Sequence, residues 1–488
     1  MSPVSHTPFF PAWRPHLAPA GSRVAAVAKT LAGSTLAKIE DRFGSALPAG
    51  LLAKPAQGRD RLYTVRRTFW CFLWQILNPG TSCREVVRQL QALFTLQGGP
   101  KVSEKDGAYC LARQRLPATL FPQAVAATAK AARQAAPPQE DGFLQNRPRK
   151  VLDGTSVTLP DSPKNREAYP KSQATYDGIG FPMMRVVAFF CLISGAILST
   201  RTGNFYTSEL RLLRQLLTQL AKNDIVVGDR GFGSFVVVYL LQAVGVDFIG
   251  RSSRKVDGRK RVRRLGPKDW LVNWRRGNPS AVMSEAEWAL VPHFLTVRIV
   301  RGSLWRQGFR VRQVTVVTTL LDCQLYPAGQ ILEAYAQRWR LELCFDDLKT
   351  TLGMEMLSCQ SPELIDKELQ LHLIAHNLIR LVAAQAACAH RTSIHSISFK
   401  GTLDALRQFC CAIGQARHPR LRRKLWEDLL HTLIADSVPP RPGRRQPRAV
   451  KRQKNKYPRL DCARHQFRDH PKRHVRRSRA RRRNASLI

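Results

Sequence analysis

Residues 150–159, KVLDGTSVTL, alternate apolar and polar side chains, which predicts a β-strand. The stretch 185–200 is rich in β-branched and aromatic residues and is broken by Ser194-Gly195, a pattern that predicts a hairpin. Helical and strand patterns then alternate, at 206–220, 225–227, 235–243 and 247–249. A hairpin followed by alternating helices and strands predicts an α/β fold, in which a mixed sheet is flanked by helices.

The region before this sheet is predicted to be helical. In TVRRTFWCFLWQILN, which begins at Thr64, apolar residues recur at helical spacing, and Asn78-Pro79-Gly80 ends the helix. A second helix begins at Thr81 or Ser82, with Glu85 in position for a capping box, and a third covers 103–116. Their arginines are expected to be exposed and to suit DNA contact, although any helical bundle presents such charges: Arg84, Arg88, Arg113 and Arg115.

Changes of composition divide the chain into regions. A Pro-rich, polar linker at 134–149 precedes the first strand, and the strand–helix alternation stops within a basic, tryptophan-rich and strand-rich stretch before long helices resume. After Pro439-Pro440 the sequence is too charged to pack. We expect a helical domain (1–148), an α/β core in two parts (149–251 and 321–392), a β-rich insertion between them (252–320), a helical region (393–440) and a disordered basic tail (441–488).

Charge indicates the kind of partner. The 488 residues include 78 Lys and Arg against 35 Asp and Glu, a net charge of +43. So large a surplus predicts a polyanionic partner, and the tail, with 19 Lys and Arg against two Asp, does not account for all of it. At 44% hydrophobic residues, wholesale disorder is excluded.

Several classes of protein are disfavoured. The eleven cysteines form neither a C-x-x-C pair nor a zinc-finger spacing, so we expect no disulfide scaffold or structural zinc, and a reducing cytoplasm. The longest apolar run, Val186 to Leu198, is too short for a membrane helix, and the proline-containing N-terminus does not resemble a signal peptide. We therefore expect a cytoplasmic protein without membrane contact.

Acidic residues are scarce, so an acid that follows an apolar strand is informative. Asp153 follows Val151-Leu152, and Asp229 follows Val226-Val227-Gly228. Ligands bind at such strand ends in open α/β sheets, although each alone would be an ordinary turn aspartate. A third acid, Glu342, lies within EAYAQRWRLELCFDDLKTTLGME (333–355).

On a helical wheel, four residues of this segment share an arc of about 60°. They are Tyr335, Arg338, Glu342 and Lys349. A solvated helix face with an Arg338–Glu342 pair would give the same pattern, and Asp346 could equally be the functional acid.

The chemistry favours a phosphoryl-transfer site. Three carboxylates from separate elements can hold two divalent cations about 4 Å apart, which activate the attacking oxygen and stabilise the leaving one. Mg²⁺ suits a few carboxylates combined with substrate phosphate and water. Neighbouring cations would bind the phosphates around the scissile bond. A basic protein with such an acid cluster suggests a nuclease or a strand transferase.

The spacing Tyr335-x2-Arg338-x3-Glu342-x6-Lys349 resembles the Y-R-E-K signature of DDE transposases from bacterial insertion sequences. Asp153-Gly154-Thr155 and GDRGF (228–232) occur in the order found in that family, followed by a long insertion before the glutamate. The similarity extends over about residues 80–460.

The resemblance implies a ribonuclease-H-like core interrupted by a β-rich insertion. It implies that Asp153, Asp229 and Glu342 bind two Mg²⁺ ions, which Mn²⁺ can replace, and it selects Glu342 over Asp346. By family similarity, Tyr335, Arg338 and Lys349 contact transposon-end DNA. The implied reaction is metal-dependent cleavage at the element end, hairpin formation and opening, and joining to target DNA. The implied partners are double-stranded end and target DNA, with the protein dimeric on paired ends and associated with the nucleoid when bound to DNA.

Weaker features concern the tryptophans and histidines. Some family members stack a flipped base on a tryptophan of the insertion, and Trp305 is the nearest candidate, with Trp270, Trp274 and Trp288 as competitors. The basic run 251–276 with its tryptophans suits DNA contact. His372 and His376 have metal-binding spacing but apolar neighbours, so we interpret them as core or interface residues.

Three alternatives to transposition remain open. One is an endonuclease of the same fold that cuts without joining, and another is a catalytically inactive DNA-binding relic. A ribosome- or RNA-associated protein would account for the tail but leave the carboxylates unexplained.

Overall fold

The computed structural model describes residue 40 and residues 43–53, 62–96, 101–138, 141–171, 180–252, 261–304, 312–416 and 418–437. Within these ranges, nine strands form one sheet in the order β3-β2-β1-β4-β5-β9-β8-β7-β6. The strands are β1 (Arg149–Thr158), β2 (Met183–Cys191), β3 (Ile197–Asn204), β4 (Ile225–Gly228), β5 (Asp247–Gly250), β6 (Arg261–Gly266), β7 (Asp269–Arg275), β8 (Phe294–Leu304) and β9 (Arg312–Thr318).

Helices precede, connect and follow these strands. They are α1 (Val65–Leu77), α2 (Cys83–Leu96), α3 (Gly107–Arg115), α4 (Leu120–Gln134), α5 (Pro163–Ala168), α6 (Glu209–Leu216), α7 (Phe235–Ala243), α8 (Glu285–Ala289), α9 (Ala328–Asp346), α10 (Pro362–Ala389), α11 (Phe399–Gln415) and α12 (Pro419–Ala435). Serine hydroxyls cap several of them by accepting a backbone N–H of the first turn, as at Ser208, Ser234, Ser361 and Ser398. The mixed α/β class expected from the alternating pattern is confirmed.

The sheet combines antiparallel and parallel pairing. β1, β2 and β3 are antiparallel, as the predicted hairpin requires, and Gly195 adopts a positive φ of 70° in the turn. β4 and β5 run parallel to β1, because α6 and α7 carry the chain back across the sheet before each strand. The short runs from Ile225 and from Asp247 therefore become central strands.

The strands expected for residues 252–320 extend this same sheet. β9 pairs antiparallel with β5, where Ile249 lies opposite Thr318, and β8, β7 and β6 follow by antiparallel pairing. The pairing gives partners to the edge groups of β5, which would otherwise be exposed. The insertion is thus continuous with the strands that carry the aspartates.

Apolar side chains divide between the two faces of the sheet. Val151, Val227 and Ile249 belong to the larger core, which is covered by α9 and α10. Leu152 and Val226 point the opposite way and pack with α6 and α7. Burial of each such side chain stabilises the fold by about 1.5–3 kcal/mol.

The N-terminal helices match the prediction in part. α1 and α2 occur as expected, and Ser82 and Glu85 form the predicted capping box, with the Ser82 N–H donating to Glu85 Oε2 (2.6 Å) and the Glu85 N–H to Ser82 Oγ (3.2 Å). The sequence reasoning missed α4, which packs against α10, because LFPQAVAATAKAARQ is rich in alanine and shows weak contrast between apolar and polar positions.

One arginine of these helices is not where the pattern placed it. Arg84, Arg88 and Arg115 are exposed as expected, but Arg113 is 7% exposed. Its guanidinium lies over the rings of Phe72 (4.8 Å) and Tyr109 (5.3 Å), and this cation–π packing compensates for the lost hydration. The prediction that Arg113 is exposed and available to DNA was therefore wrong.

α10 runs through the core. It is long and apolar enough to cross a membrane by length and composition, but 83% of its most apolar window is buried inside the protein, as in a core helix. His372 and His376 are both buried on it, which confirms their interpretation as core residues. His372 donates from Nδ1 to the carbonyl of Glu368 (2.8 Å), and His376 stacks on Phe399 at 5.1 Å.

His376 should make stability sensitive to acid. Burial, reinforced by the charge of Arg380, lowers its pKa from 6.5 to about 3. The folded protein therefore keeps the ring neutral while the unfolded chain takes up a proton below pH 6.5, so this contribution is full above pH 6.5 and is lost as the pH falls towards 3. Between pH 7 and pH 5, we expect His376→Leu to abolish a loss of about 2 kcal/mol in the free energy of unfolding.

Urea unfolding at the two pH values measures this difference. Phe399→Leu is the control, because it disturbs the same contact without removing a titratable group and should retain the wild-type pH dependence. Equal pH dependence in wild type and His376→Leu would contradict the prediction.

Candidate active site

Asp153 and Asp229 lie side by side on neighbouring parallel strands. Leu152 of β1 pairs with Gly228 of β4, so the next residue on each strand is an aspartate. Neighbouring strands lie about 4.8 Å apart, and Asp229 directly follows the last residue of β4. Asp153 lies within β1, since the strand continues to Thr158 beside β2, whereas the sequence placed it at a strand end. It nevertheless lies where pairing with β4 stops.

Arg251 extends this row on the next strand. Gly228 of β4 pairs with Gly250 of β5, so Arg251 follows at the level of the two aspartates. Because side chains alternate along strands, Asp153, Asp229 and Arg251 belong to the face of Val151, Val227 and Ile249, which α9 covers. The sequence analysis treated Arg251 only as the start of a basic run. A cation directly after a short apolar strand, in the position that the aspartates occupy on theirs, was the available signal.

Backbone hydrogen bonds orient both carboxylates, which are half-buried. The Gly154 N–H donates to Asp153 Oδ1 at 2.9 Å, and the Phe232 N–H donates to Asp229 Oδ1 at 3.2 Å. The Gly-Asp-Arg-Gly-Phe turn therefore folds back onto its own aspartate. Such bonds favour a single carboxylate orientation before any ligand binds.

α9 crosses above this row. The Tyr335 hydroxyl has a pKa raised by burial, opposed by the charges of Arg338 and Arg251 and reinforced by Asp229. Burial also raises the pKa of the Cys344 thiol to about 12, with Asp153 adding to the shift. α9 packs against β1, β4 and β5, so it passes over the strands that lead into both aspartates.

Position 342 lies on this part of α9, on the arc between Tyr335 and Arg338. Both of these residues are buried, at 1% and 5% exposure, and the Arg338 guanidinium lies over the Tyr335 ring at 5.6 Å. Tyr335 and Arg338 therefore face the protein and not the solvent. Asp346, the competing acid, is exposed. The side chain of Glu342 lies outside the described residues.

The helix changes its period before Lys349. The helical wheel assumed one α-helix through residues 335–349, but α9 ends at Asp346. Residues Asp347–Thr351 form a π-helical turn, with the Leu352 N–H donating to the Asp347 carbonyl at 3.1 Å. A wider turn rotates each residue by less than 100°, so the wheel position given to Lys349 does not hold. Lys349 is half-buried in this turn.

Asp347 is a further acid that the sequence analysis did not single out. Burial raises the pKa of its carboxyl to about 7, against the lowering effect of Arg380 and with a small addition from Asp346. It shares the surroundings of Cys344 with Asp153. Sequence alone showed only two adjacent aspartates, of which one is exposed and the other is half-buried.

The described side chains give a partial test of the metal prediction. Among them, no group of three His, Cys, Asp or Glu residues is arranged to hold an ion. Asp153 and Asp229 supply two carboxylates of the oxygen type that Mg²⁺ prefers, on adjacent strands and on one face. Two of the three predicted ligands are therefore brought together.

The insertion's tryptophans are half-buried where the structure describes them. Trp270 lies under the guanidinium of Arg301 (5.4 Å), Trp274 packs edge-on against Phe235, and Trp288 lies near Arg276. Trp305, the candidate for base stacking, lies outside the described residues, as does the basic tail.

Comparison with known proteins identifies the family. A family model described as "Transposase DDE domain" matches residues 145–378, which include both aspartates and position 342. The chain is a DDE transposase. It is 24% identical over 406 residues to the transposase InsG for insertion sequence element IS4 of Escherichia coli (strain K12), covering 82% of this chain and 88% of that protein.

This transposase can also be compared with a solved structure. It is similar to the piggyBac transposase in a synaptic complex with hairpin DNA, at 11% identity and a TM-score of 0.37, over 83% of this chain and 85% of that one.

Gly233 allows a test of the turn that holds Asp229. A Cβ atom there would lie 1.6 Å from the backbone carbonyl oxygen of Arg251, so Gly233→Ala forces the ends of β4 and β5 apart. We expect a loss of about 1–3 kcal/mol or more in unfolding free energy and a loss of DNA cleavage. Gly329→Ala is the control, because its Cβ meets nothing within 4 Å. Urea unfolding and end-cleavage assays at equal concentrations measure both effects, and a stable, active Gly233→Ala would contradict this packing.

Proposed function

We propose that this DDE transposase excises an insertion sequence and joins it to target DNA, with Asp153, Asp229 and Glu342 as its metal ligands. One observation carries the proposal. Asp153 and Asp229 each directly follow the last paired residues of two adjacent parallel strands, and the helix that carries position 342 packs on those strands. The turn at Asp229 and the π-helical turn after α9 both carry acidic and basic residues near the two aspartates.

The core is best described as ribonuclease-H-like. Support comes from the strand order β3-β2-β1-β4-β5, with an antiparallel meander leading into two parallel strands, and from a helix across the face of the acids. The insertion adds β6 to β9 to the free edge of β5.

Two Mg²⁺ ions, or Mn²⁺, would supply activation of the attacking oxygen and stabilisation of the leaving one when bound by these carboxylates. The donor set fits, because the two aspartates offer hard oxygen ligands at adjacent positions and their Oδ1 atoms are already fixed by backbone N–H groups. Glu342 would complete the set from the covering helix.

Cations beside the acids would bind the DNA phosphates. Arg251 follows the row of aspartates, Arg338 lies over Tyr335, and Lys349 follows in the π-helical turn. Arginine binds phosphate through two parallel N–H donors, which fixes the phosphate relative to the carboxylates. Because Tyr335 and Arg338 are covered here, their contact with DNA needs a shift of the segments around them.

Double-stranded DNA is the partner that fits the wider surface. Arg84, Arg88 and Arg115 are exposed on the N-terminal helices, and Arg263, Arg264, Lys268 and Arg275 are exposed on the insertion strands. Contacts of this kind hold the duplex by its phosphates, while Trp305 remains our candidate for a stacked base. We propose a dimer on paired ends, a hairpin intermediate and a cytoplasmic, nucleoid-associated location.

Loss of the acids tests the proposed site. We expect Asp153→Asn, Asp229→Asn and Glu342→Gln each to lower metal-dependent nicking of an element-end duplex by about a thousandfold or more, because each removes several kcal/mol of transition-state stabilisation. Asp346→Asn is the matched control: it removes an exposed acid four residues from Glu342 and should leave nicking intact. Single-turnover assays with Mg²⁺ and with Mn²⁺ measure the rates.

The same assay separates the alternatives. Binding of the end without cleavage by the wild type would indicate an inactive relic, and cleavage without joining would indicate an endonuclease. Loss of nicking in Asp346→Asn with retention in Glu342→Gln would reassign the third ligand.

A further inference from the structure

A buried ion pair links the insertion to the start of α9. The Arg298 side chain of β8 is fully buried and binds Asp269 of β7 through two parallel bonds, with Nε donating to Oδ1 (2.8 Å) and Nη2 to Oδ2 (2.6 Å). Asp269 is itself 5% exposed. The two residues lie on the face of the sheet that α9 covers.

The remaining nitrogen of Arg298 holds the loop between β9 and α9. Nη1 donates to the carbonyls of Tyr326 (2.7 Å), Asp322 (3.3 Å) and, more weakly, Leu320 (3.4 Å). The chain from 320 to 326 is thus wrapped around one guanidinium, and α9 begins two residues later. The planar group is what allows one side chain to serve both a carboxylate and these carbonyls.

The start of α9 has few other restraints of its own. Its N-cap position is Pro327, which makes no side-chain cap, and the first turn contains no acid. Arg147 donates to the Tyr326 hydroxyl (3.0 Å), and the Leu144 N–H donates to Gln330 Oε1 (2.9 Å). Gln145 Nε2 donates to the Leu325 carbonyl (3.1 Å), and Asp322 Oδ1 accepts the N–H groups of Gln324 (2.8 Å) and Leu325 (3.1 Å). Arg298 adds bonds to three carbonyls of this loop from a fully buried side chain.

We propose that Arg298, held by Asp269, is a positioning residue that sets the direction of α9 over the aspartates. This rests on the proposed role of Glu342 as the third ligand. Position 342 lies about 21 Å along the helix from Ala328, so a tilt of about 3° at the start moves it by about 1 Å. An error of that size can reduce a rate by about a hundredfold.

Stability alone gives a weaker reason for the arrangement. A buried ion pair can often be replaced by packed apolar residues without loss of stability, since desolvation offsets the attraction. What such residues cannot replace is the set of bonds to three carbonyls. The ion pair therefore matters for where α9 begins.

Arg298→Lys is the decisive variant, because it keeps a charge for Asp269 and loses the planar donors to the loop. We expect single-turnover nicking of an element-end duplex to fall about 10- to 100-fold and the Mg²⁺ concentration for half-maximal nicking to rise several-fold, with end affinity within about twofold of wild type. Arg407→Lys is the matched control, since the Arg407 guanidinium also binds a backbone carbonyl, that of Leu77 (2.9 Å), together with a carboxylate, that of Asp404 (3.3 Å), between helices other than α9. It should change the melting temperature but neither kinetic quantity.

A second variant covers a failure to fold. Arg298→Met with Asp269→Leu removes both charges and keeps the volume, and it should show the same kinetic defects in a folded protein. Nicking rates and Mg²⁺ dependence that match those of Arg407→Lys in either Arg298 variant would overturn the inference. Glu342→Gln, run in parallel, tests the proposed function separately: if it retains nicking while Arg298→Lys loses it, the role of Glu342 fails and not the assay.

Discussion

The parallel pairing of β1, β4 and β5 is the constraint on which the proposed site of this transposase depends. Pairing of Leu152, Gly228 and Gly250 forces the next residue of each strand, two aspartates and an arginine, into one row on one face. Neither glycine adds side-chain bulk beside the row.

Two helices, α9 and α10, cover the face of the sheet on which the aspartates lie. α9 and α10 remove water from the face that carries the aspartates, and burial is the main cause of the raised pKa values of Tyr335, Cys344 and Asp347. Low polarity strengthens every charge interaction within the site. Backbone N–H groups then hold the carboxylates in place, so the geometry does not depend on flexible side chains.

Local patterns in the sequence predicted local features well. Alternation predicted β1 and the hairpin, Asn78-Pro79-Gly80 predicted the end of α1, and Ser82 with Glu85 predicted the start of α2. The assignment of Asp153 and Asp229 as metal ligands stays a prediction. Features set by distant partners were not predictable in this way. The extension of the sheet through β9, the burial of Arg113 between aromatic rings and the position of Arg251 depend on pairing or packing between residues far apart in sequence. The helical wheel assumed the α-helical period throughout, so it misplaced Lys349, which lies in the π-helical turn.

The location of the excess basic residues is a further feature that could not be predicted from the sequence. A net charge of +43 suggests a DNA-binding surface, yet several arginines lie inside the fold. Arg298 and Arg380 bind backbone carbonyls, Arg113 and Arg149 lie over aromatic rings, and Arg338 lies over Tyr335. Guanidinium suits this use because it satisfies several acceptors from one plane and remains charged when buried. The DNA-facing charge is therefore smaller than composition implies, and part of the surplus builds the framework that holds the few acids in register.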